Sequence, residues 1–451
     1  MVQSAARGND DDRGVGVSRD LGDRLLDKSA RIAIIGQGYV GLPLAMHASD
    51  AGYSVVGFDI DDDKVAALLE GRSYVEDVTD DALAAALAKG YLPTTDPAAL
   101  RDIDVVVVSV PTGLSDGAPD LSNIEAASEL VAASIQPGAL VILESTTYPG
   151  TTEELVGGTI ERASAGALVA GRDYYLGYSP ERIDPGNPTY DLRNTPKVVS
   201  GIDAASLELV TSFYGTFVEK VIPVSSTAVA ELVKLMENTF RHVNIALVNE
   251  LAIFAADLGI DVWEALDAAA TKPFGYMRFT PGPGVGGHCL PIDPTYLSWR
   301  VRRRLGETFR FVELANDVNE HMPAYVVRRV QAMLNRDQIA LNGSHIVVLG
   351  LAYKPGTSDA REAPSVSIID RLERQGARIT AVDPHVSPLL FSEPTMQLRA
   401  LTPHLIEEAD VVLLITDHDD FDYELIGRHA QRIFDTRHRV RPPVAGRLEY
   451  L

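Results

Sequence analysis

Short β-branched runs recur along this chain, and each is followed by a stretch whose apolar residues return at helical spacing. RIAIIG leads straight into GQGYVGLPLAMHASDAG, SVVGFDI ends on Asp59 and precedes DDDKVAALLEG, and DVVVVSVP and ALVILEST come next. Apolar runs bounded by turn residues predict buried strands, and their alternation with helices predicts a parallel, doubly wound sheet. From Thr227 to Ile260 the rhythm changes to a helical period with no internal Pro and a single Gly near the end, which predicts one long connecting helix. Its apolar positions fit a subunit interface, and they equally fit packing against flanking lobes. After Asn342 the strand and helix rhythm restarts with HIVVLGLAY, RITAVDPH, DVVLLITDH and RIFDT, so a second α/β lobe is expected.

At 451 residues the chain exceeds one ordinary core, and about two or three domains are expected. We expect a disordered tail over 1–28, a dinucleotide-binding domain over 29–226, a central helical domain over 227–335 and a second α/β domain over 336–451. The tail is polar and rich in Gly, Asp and Arg, without the apolar core of a secretory signal. A formal charge of −23 argues against nucleic acid as a partner, because phosphate binding requires clustered cations. The apolar runs fall short of the roughly 20 residues that span a bilayer, so no membrane association is expected. The single cysteine excludes an intrachain disulfide and a cysteine-based metal cluster, which points to a reducing cytoplasm and to no metal.

Gly36, Gly38 and Gly41 form G-x-G-x-x-G directly after a strand and at the start of a helix. In that context the first glycine serves a tight turn, the second lets backbone approach a pyrophosphate, and the third permits close packing. Asp59 closes the next strand, where a carboxylate receives the hydroxyls of an adenosine ribose and would repel a 2′-phosphate, so NAD is favoured over NADP. Val110, Pro111 and Thr112 follow a strand at the carboxyl edge where such sheets bind ligands, and Thr146 in LESTTYPG lies at an equivalent edge. The fold class expected is therefore α/β, with two Rossmann-like lobes joined by a long helix. The second lobe lacks the glycine fingerprint and should bind something other than a dinucleotide pyrophosphate.

Cys289 lies in FTPGPGVGGHCLPIDP, too rich in Gly and Pro for a regular element. A thiol there is either a reactive nucleophile or a small buried hydrophobe, and the adjacent His288 and the following Asp293 offer polar partners for the former. Lys234 and Asn238, four apart on the long helix, share a face and together can reach a reacting oxygen. Glu181 sits in the turn-rich GYSPERIDPGNP; burial raising it toward neutrality would suit it to activate water.

In their order, GQGYVGLPLA, GYSPERIDPG, ELVKLMENTFRHVNIALVNELA, PGPGVGGHCLPIDP and GLAYKPGTSDAREAPS resemble the UDP-glucose/GDP-mannose dehydrogenase family. The similarity runs from about Arg31 to the C-terminus. It implies an NAD lobe and a nucleotide-sugar lobe flanking a long helix, around which two copies form a homodimer. It also implies a four-electron oxidation of a sugar CH2OH to a carboxylate through a Cys289 thiohemiacetal and thioester. Lys234 and Asn238 match the oxyanion-stabilising pair, Glu181 the water-activating carboxylate, and Thr146 and Asp293 supporting polar residues. Arg361 matches an arginine near the sugar nucleotide, with Lys354 in the same loop.

Tyr39, Val40 and Lys64 complete the expected cofactor set, and Arg182, Arg241, Asn244, Gly286 and Gly287 the substrate set. Two departures stand out: Lys354 is followed by Pro355 where the family often has a second basic residue, and Pro185 occupies a position that is acidic in another branch. The segments look most like the acetamido-sugar branch, especially UDP-N-acetylglucosamine 6-dehydrogenases. UDP-glucose or dTDP-glucose is the alternative substrate, and a simple two-electron alcohol dehydrogenase or a non-catalytic nucleotide-binding module the alternative class.

Overall fold

The computed structural model describes residues 19–451 other than 116, 185, 186, 188, 288, 289, 291 and 387–396. Residues 1–18 of the expected tail, and His288, Cys289 and Pro185, therefore lie outside the described residues. The chain forms two compact units, Met1–Met236 and Glu237–Leu451, and the division falls inside the long helix Thr227–Leu258.

In the first unit the strands are β1 (Arg31–Ile35), β2 (Ser54–Phe58), β3 (Leu92–Thr94), β4 (Val105–Val108), a separate hairpin of β5 (Gly113–Ser115) and β6 (Ala118–Asp120), then β7 (Leu140–Leu143), β8 (Tyr175–Tyr178), β9 (Lys197–Gly201) and β10 (Val221–Pro223). The main sheet runs β10-β9-β8-β7-β4-β1-β2-β3. Every residue of β4, β7 and β8 is buried. Strands covered on both faces need uninterrupted apolar runs, hence VVVV and LVIL. The order reverses between β1 and β4, the switch point at which open α/β sheets bind ligands.

Two expectations need correction. The sheet is not wholly parallel, because β8 and β9 pair antiparallel. Among the described residues, 179–196 hold no helix, and parallel neighbours require a crossover that this return lacks. Nor is the segment before Lys28 all tail: Arg19–Leu26 is a helix. Its Leu21 and Leu25, one turn apart, are buried in the cluster that contains Tyr53, Phe213 and Tyr214. Of the three leucines in this helix, these two carry that packing, while Leu26 is exposed.

The long helix ends at Leu258, two residues short of the expected Ile260, and is followed by Gly259, whose φ of +69° suits the left-handed position after a helix. The second unit adds helices Val262–Ala270, Asp293–Leu305 and Arg310–Arg336. Its sheet comprises β11 (His345–Leu349), β12 (Arg378–Val382), β13 (Gln397–Leu398), β14 (Val411–Leu414), β15 (Arg432–Asp435) and β16 (Arg447–Tyr450). The order is β13-β12-β11-β14-β15-β16, with every pair parallel.

Candidate active site

The turn after β1 gives its three glycines three different environments. Gly36 has φ +93°, its N–H donates to Phe58 O at 2.8 Å, and a Cβ there would lie 2.5 Å from Ser109 O. A Cβ on Gly41 would lie 1.9 Å from Gly36 O, whereas one on Gly38 would meet nothing within 4 Å. Protein backbone thus excludes side chains at the outer two positions, while the open space at the middle one suits a pyrophosphate.

Asp59 is buried; its Oδ2 accepts from Gln37 N at 2.7 Å and its Oδ1 from Asp61 N at 3.1 Å. Gln37 is itself held by the hydroxyls of Tyr74, donating to its carbonyl, and Tyr91, donating to its side chain, both at 2.6 Å. Burial pushes both phenols well above their usual range, so they remain donors. These residues fit a dinucleotide whose ribose meets Asp59.

Val40 precedes the helix Gly41–Asp50 and Tyr39 is exposed beside it. Lys64, in the first turn of Asp62–Leu69, pairs with Asp61 at 3.7 Å. After β4, Ser145 Oγ donates to Val110 O at 2.8 Å, Asn123 donates to Pro111 O at 3.0 Å, and Thr112 is buried. Thr146, past the end of β7, is half-buried.

Glu181 is buried beyond the end of β8. Its Oε1 accepts the N–H groups of Arg182 and Ile183, each at 2.6 Å, and its Oε2 accepts Lys197 Nζ at 3.0 Å. Lys197 also pairs with Glu144 Oε1 at 2.6 Å, and Tyr214 OH donates to that same oxygen at 2.7 Å. Burial alone would raise the Glu181 pKa, but the Lys197 charge, the Ile183 N–H and the Lys234 charge outweigh it and hold the carboxyl below its usual range. The expectation that burial neutralises Glu181 is therefore corrected: the same burial that removes water also brings in the compensating cation.

Burial pushes Glu144 the other way, up, with the Glu181 charge adding to the effect against Lys197. For Lys197, burial opposes the charge, yet the two carboxylates prevail and raise it. Lys234 is buried on the long helix. One turn earlier, Glu231 accepts from Gly150 N at 2.6 Å and from Thr152 N at 2.8 Å, tying that helix to the loop that follows Thr146. Arg182 donates from its guanidinium to Pro196 O at 2.5 Å.

Within the second unit, Asn238 donates to Asp293 Oδ2 at 2.6 Å, and both are buried. A primary amide has a second N–H, which leaves Asn238 able to donate to an oxyanion. Gly282, in the glycine-rich loop, donates to Asn249 Oδ1 at 2.8 Å, and Asn249 donates to Asn319 Oδ1 at 2.9 Å. Gly286 and Gly287 pack without side chains against Glu362 O and the Tyr353 ring, where a Cβ would come within 2.8 Å of each. Gly287 N donates to Arg361 O at 3.2 Å.

Two expected substrate contacts look different in place. The Arg361 guanidinium grips Asp359 through two hydrogen bonds of 2.9 and 2.6 Å, and Arg241 is exposed. Asn244 donates to Phe240 O at 2.7 Å, and Lys354 is half-buried in the loop before Arg361. The residues that sequence reasoning passed over are Glu144, Lys197, Tyr214, Asn249 and Asn319. A signal existed for the first two, since Glu144 directly follows the wholly buried β7 and Lys197 is the one charge in the wholly buried β9.

Three family models match in order: the UDP-glucose/GDP-mannose dehydrogenase NAD binding domain over 30–218, central domain over 228–321 and UDP binding domain over 347–442. A UDP-N-acetyl-D-mannosamine dehydrogenase of Pyrococcus horikoshii is 36% identical over 423 residues, covering 92% of this chain and 97% of that protein. An NDP-N-acetyl-D-galactosaminuronic acid dehydrogenase of Ralstonia solanacearum is 33% identical, covering 88% and 93%. A solved structure of UDP-D-ManNAc dehydrogenase from P. horikoshii superposes with a TM-score of 0.83 at 34% identity, over 93% of this chain and 98% of that one.

Proposed function

Because the chain belongs to the UDP-glucose/GDP-mannose dehydrogenase family and uses NAD, we propose that it oxidises C6 of a UDP-N-acetylhexosamine to a carboxylate in two successive oxidations. The observation that carries this reading is Glu181, a buried carboxylate held ionised by Lys197 and two backbone N–H groups. A buried anion poised to accept a proton suits hydrolysis of an acyl intermediate, a step that a two-electron alcohol dehydrogenase lacks.

NAD, when bound, supplies the hydride acceptor. The Cys289 thiolate adds to the C6 aldehyde to give a thiohemiacetal, whose oxidation leaves a thioester. Lys234 and the remaining Asn238 N–H stabilise the negative charge on the C6 oxygen, an effect worth about 3 kcal/mol for a single donor. Asp293 orients Asn238 through the bond described above. Glu181 takes the proton of the attacking water, and the sulfur leaves as thiolate. Thr146 and the Val110–Thr112 edge line the cofactor side, with Gly36, Gly38, Gly41 and Asp59 as its principal contacts. Arg182, Gly286, Gly287, Lys354 and Arg361 serve the sugar nucleotide.

Sequence reasoning put UDP-N-acetylglucosamine first. The UDP-N-acetyl-D-mannosamine dehydrogenases among its relatives support UDP-N-acetylmannosamine ahead of it. We also read the chain as a cytoplasmic homodimer through the long helix, whose Phe240, Leu247, Leu251, Phe254 and Leu258 are about half exposed or more. That spacing puts five large apolar side chains along one side of the helix. Among the described residues, no helix is long and apolar enough to cross a membrane.

The test is an NADH assay with UDP-N-acetylmannosamine, UDP-N-acetylglucosamine, UDP-N-acetylgalactosamine, UDP-glucose and dTDP-glucose, with product masses. The expected result is two NADH per sugar and a uronate, abolished in Cys289→Ser. One NADH per sugar with aldehyde release, or full turnover in the serine variant, would overturn the covalent route.

A further inference from the structure

Glu181 is held unevenly. Its Oε1 is fixed by two backbone N–H groups, and among the described residues the hydrogen-bond donor to Oε2 is the Lys197 ammonium at 3.0 Å, so Oε2 is the less constrained oxygen. Lys197 is in turn anchored: its Nζ lies 2.6 Å from Glu144 Oε1 and 5.1 Å from the centre of the Tyr214 ring, and Tyr214 OH meets Glu144. Among the described residues, the second oxygen of Glu144, Oε2, is buried without a hydrogen-bond partner. A buried carboxylate with an unsatisfied oxygen is costly, and an apolar residue closing β7 would avoid that cost. Keeping Glu144 there makes sense if its charge acts on Lys197.

We propose that Lys197 is a positioning residue for the hydrolytic step, holding Glu181 aimed and ionised, and that Glu144 sets the strength of that hold by sharing the same ammonium. The inference rests on the reading of Glu181 as the base. The charged and titratable groups around Glu181 are Lys197 on β9, Glu144 at the end of β7, Tyr214 on the helix Ala204–Tyr214, Lys234 on the long helix, the neighbouring Arg182, and His47 on the helix Gly41–Asp50. Of these groups, Lys197 is the one whose side chain donates to Glu181, at the oxygen that the two backbone N–H groups leave open. It therefore has the largest leverage over Glu181.

The two partners should act with opposite sign. Without the cation, Glu181 holds its proton to higher pH, and the base is lost sooner on acidification. Without the Glu144 charge, Lys197 serves Glu181 alone, and the base survives to lower pH. A merely structural role for either residue has no reason to give opposite shifts.

The test uses the full chain, NAD and the sugar nucleotide turned over in the assay above, with kcat followed against pH. Lys197→Met should move the acid limb of kcat upward by about one pH unit or more, with KM changed far less than kcat. Lys197→Arg should restore most of the wild-type profile, and Glu144→Gln should move the limb downward. In single turnover, Lys197→Met should leave the first NADH-forming phase near wild type and slow release of the uronate by about tenfold at neutral pH.

Lys197→Met strands two buried carboxylates, so the double variant Glu144→Met with Lys197→Met, which leaves neither partner of that pair behind, is run beside it. It should show the same upward shift if the single variant does not fold. An unshifted limb and wild-type uronate release in both would overturn the proposal. Glu181→Gln separates the two readings: wild-type turnover in that variant removes the base assignment and this inference with it. An inactive Glu181→Gln with unshifted Lys197 variants removes this inference alone.

Discussion

The first turns of the two α/β units are built on one plan and used differently. Gly36 and Gly350 both have positive φ, +93° and +84°. Each donates to the last carbonyl of the neighbouring strand, Gly36 to Phe58 O at 2.8 Å and Gly350 to Val382 O at 2.9 Å. A Cβ on either would strike a backbone carbonyl, Ser109 O at 2.5 Å or Thr416 O at 2.2 Å. Each following strand ends near an aspartate whose Oδ2 accepts a backbone N–H from that turn, Gln37 to Asp59 at 2.7 Å and Leu351 to Asp383 at 2.6 Å.

There the likeness stops. Asp59 accepts one backbone N–H at each oxygen. Asp383 accepts four, from Leu351, Ala352, His385 and Val386, and also pairs with His418 Nε2 at 3.1 Å. His418 Nδ1 accepts from Gly356 N at 3.2 Å, so the ring proton sits on Nε2 and points at Asp383. In the first unit the strand-end carboxylate retains lone pairs for a ligand, whereas in the second it is consumed in bracing the loop that carries Lys354. A repeated scaffold therefore does not imply a repeated site.

The shared part of this plan is the most sensitive. Gly36→Val and Gly350→Val should each unfold their own unit or prevent soluble expression. Backbone strain alone contributes roughly 1–3 kcal/mol, before overlap with a carbonyl that cannot move. Limited proteolysis of each variant shows which unit is lost, and a folded Gly350→Val would break the equivalence of the turns.

The divergent part should separate binding from stability. Asp59→Ala should raise KM for NAD by roughly tenfold or more, the loss of a hydrogen bond to a charged group, with a small change in Tm. Asp383→Asn should leave KM for NAD unchanged and lower Tm. Its pH dependence follows from the carboxyl being held below its usual range. Burial opposes this but is outweighed by His418 and the backbone N–H groups.

A lowered folded-state pKa gives stability that is complete above about pH 5 and is lost progressively as pH falls from the unfolded value near 4 through the lower folded-state value. Wild-type Tm should therefore fall more steeply than that of Asp383→Asn between about pH 5 and pH 3. Equal slopes would mean that Asp383 does no such bracing.

The smallest effect should come from Gly38→Ala. With nothing within 4 Å of the added methyl, Tm should not change, while isothermal titration should show NAD binding weakened by about fivefold to tenfold, the lower end of the roughly 1–3 kcal/mol typical of overpacking a close contact. A drop in Tm would show that the open space at Gly38 is needed by the protein itself.

Local physics made much of this readable from one sequence. Runs such as VVVV and LVIL state their two-sided burial directly, because nothing polar could lie on either face. The G-x-G-x-x-G turn and Asp59 lie close in sequence, so their relation is set by one strand, one helix and the next strand. The helix Thr227–Leu258 announced itself by its period. Hidden instead were features that depend on distant segments: the helix Arg19–Leu26, whose Leu21 and Leu25 look unremarkable until they share a core with Tyr53 and Phe213, and the antiparallel return of β9.

The sequence by itself determined the α/β architecture, the NAD turn and the residues that can do chemistry, since each rests on local periodicity or on a motif within one supersecondary unit. Only the tertiary structure decided the ionisation of Glu181. The pKa of a buried carboxyl depends on what else is buried with it, and the cation that outweighs its desolvation, Lys197, arrives on a strand 16 residues away with Glu144 on its other side. The sign of that balance is set by distances of about 3 Å that no spacing along the chain encodes.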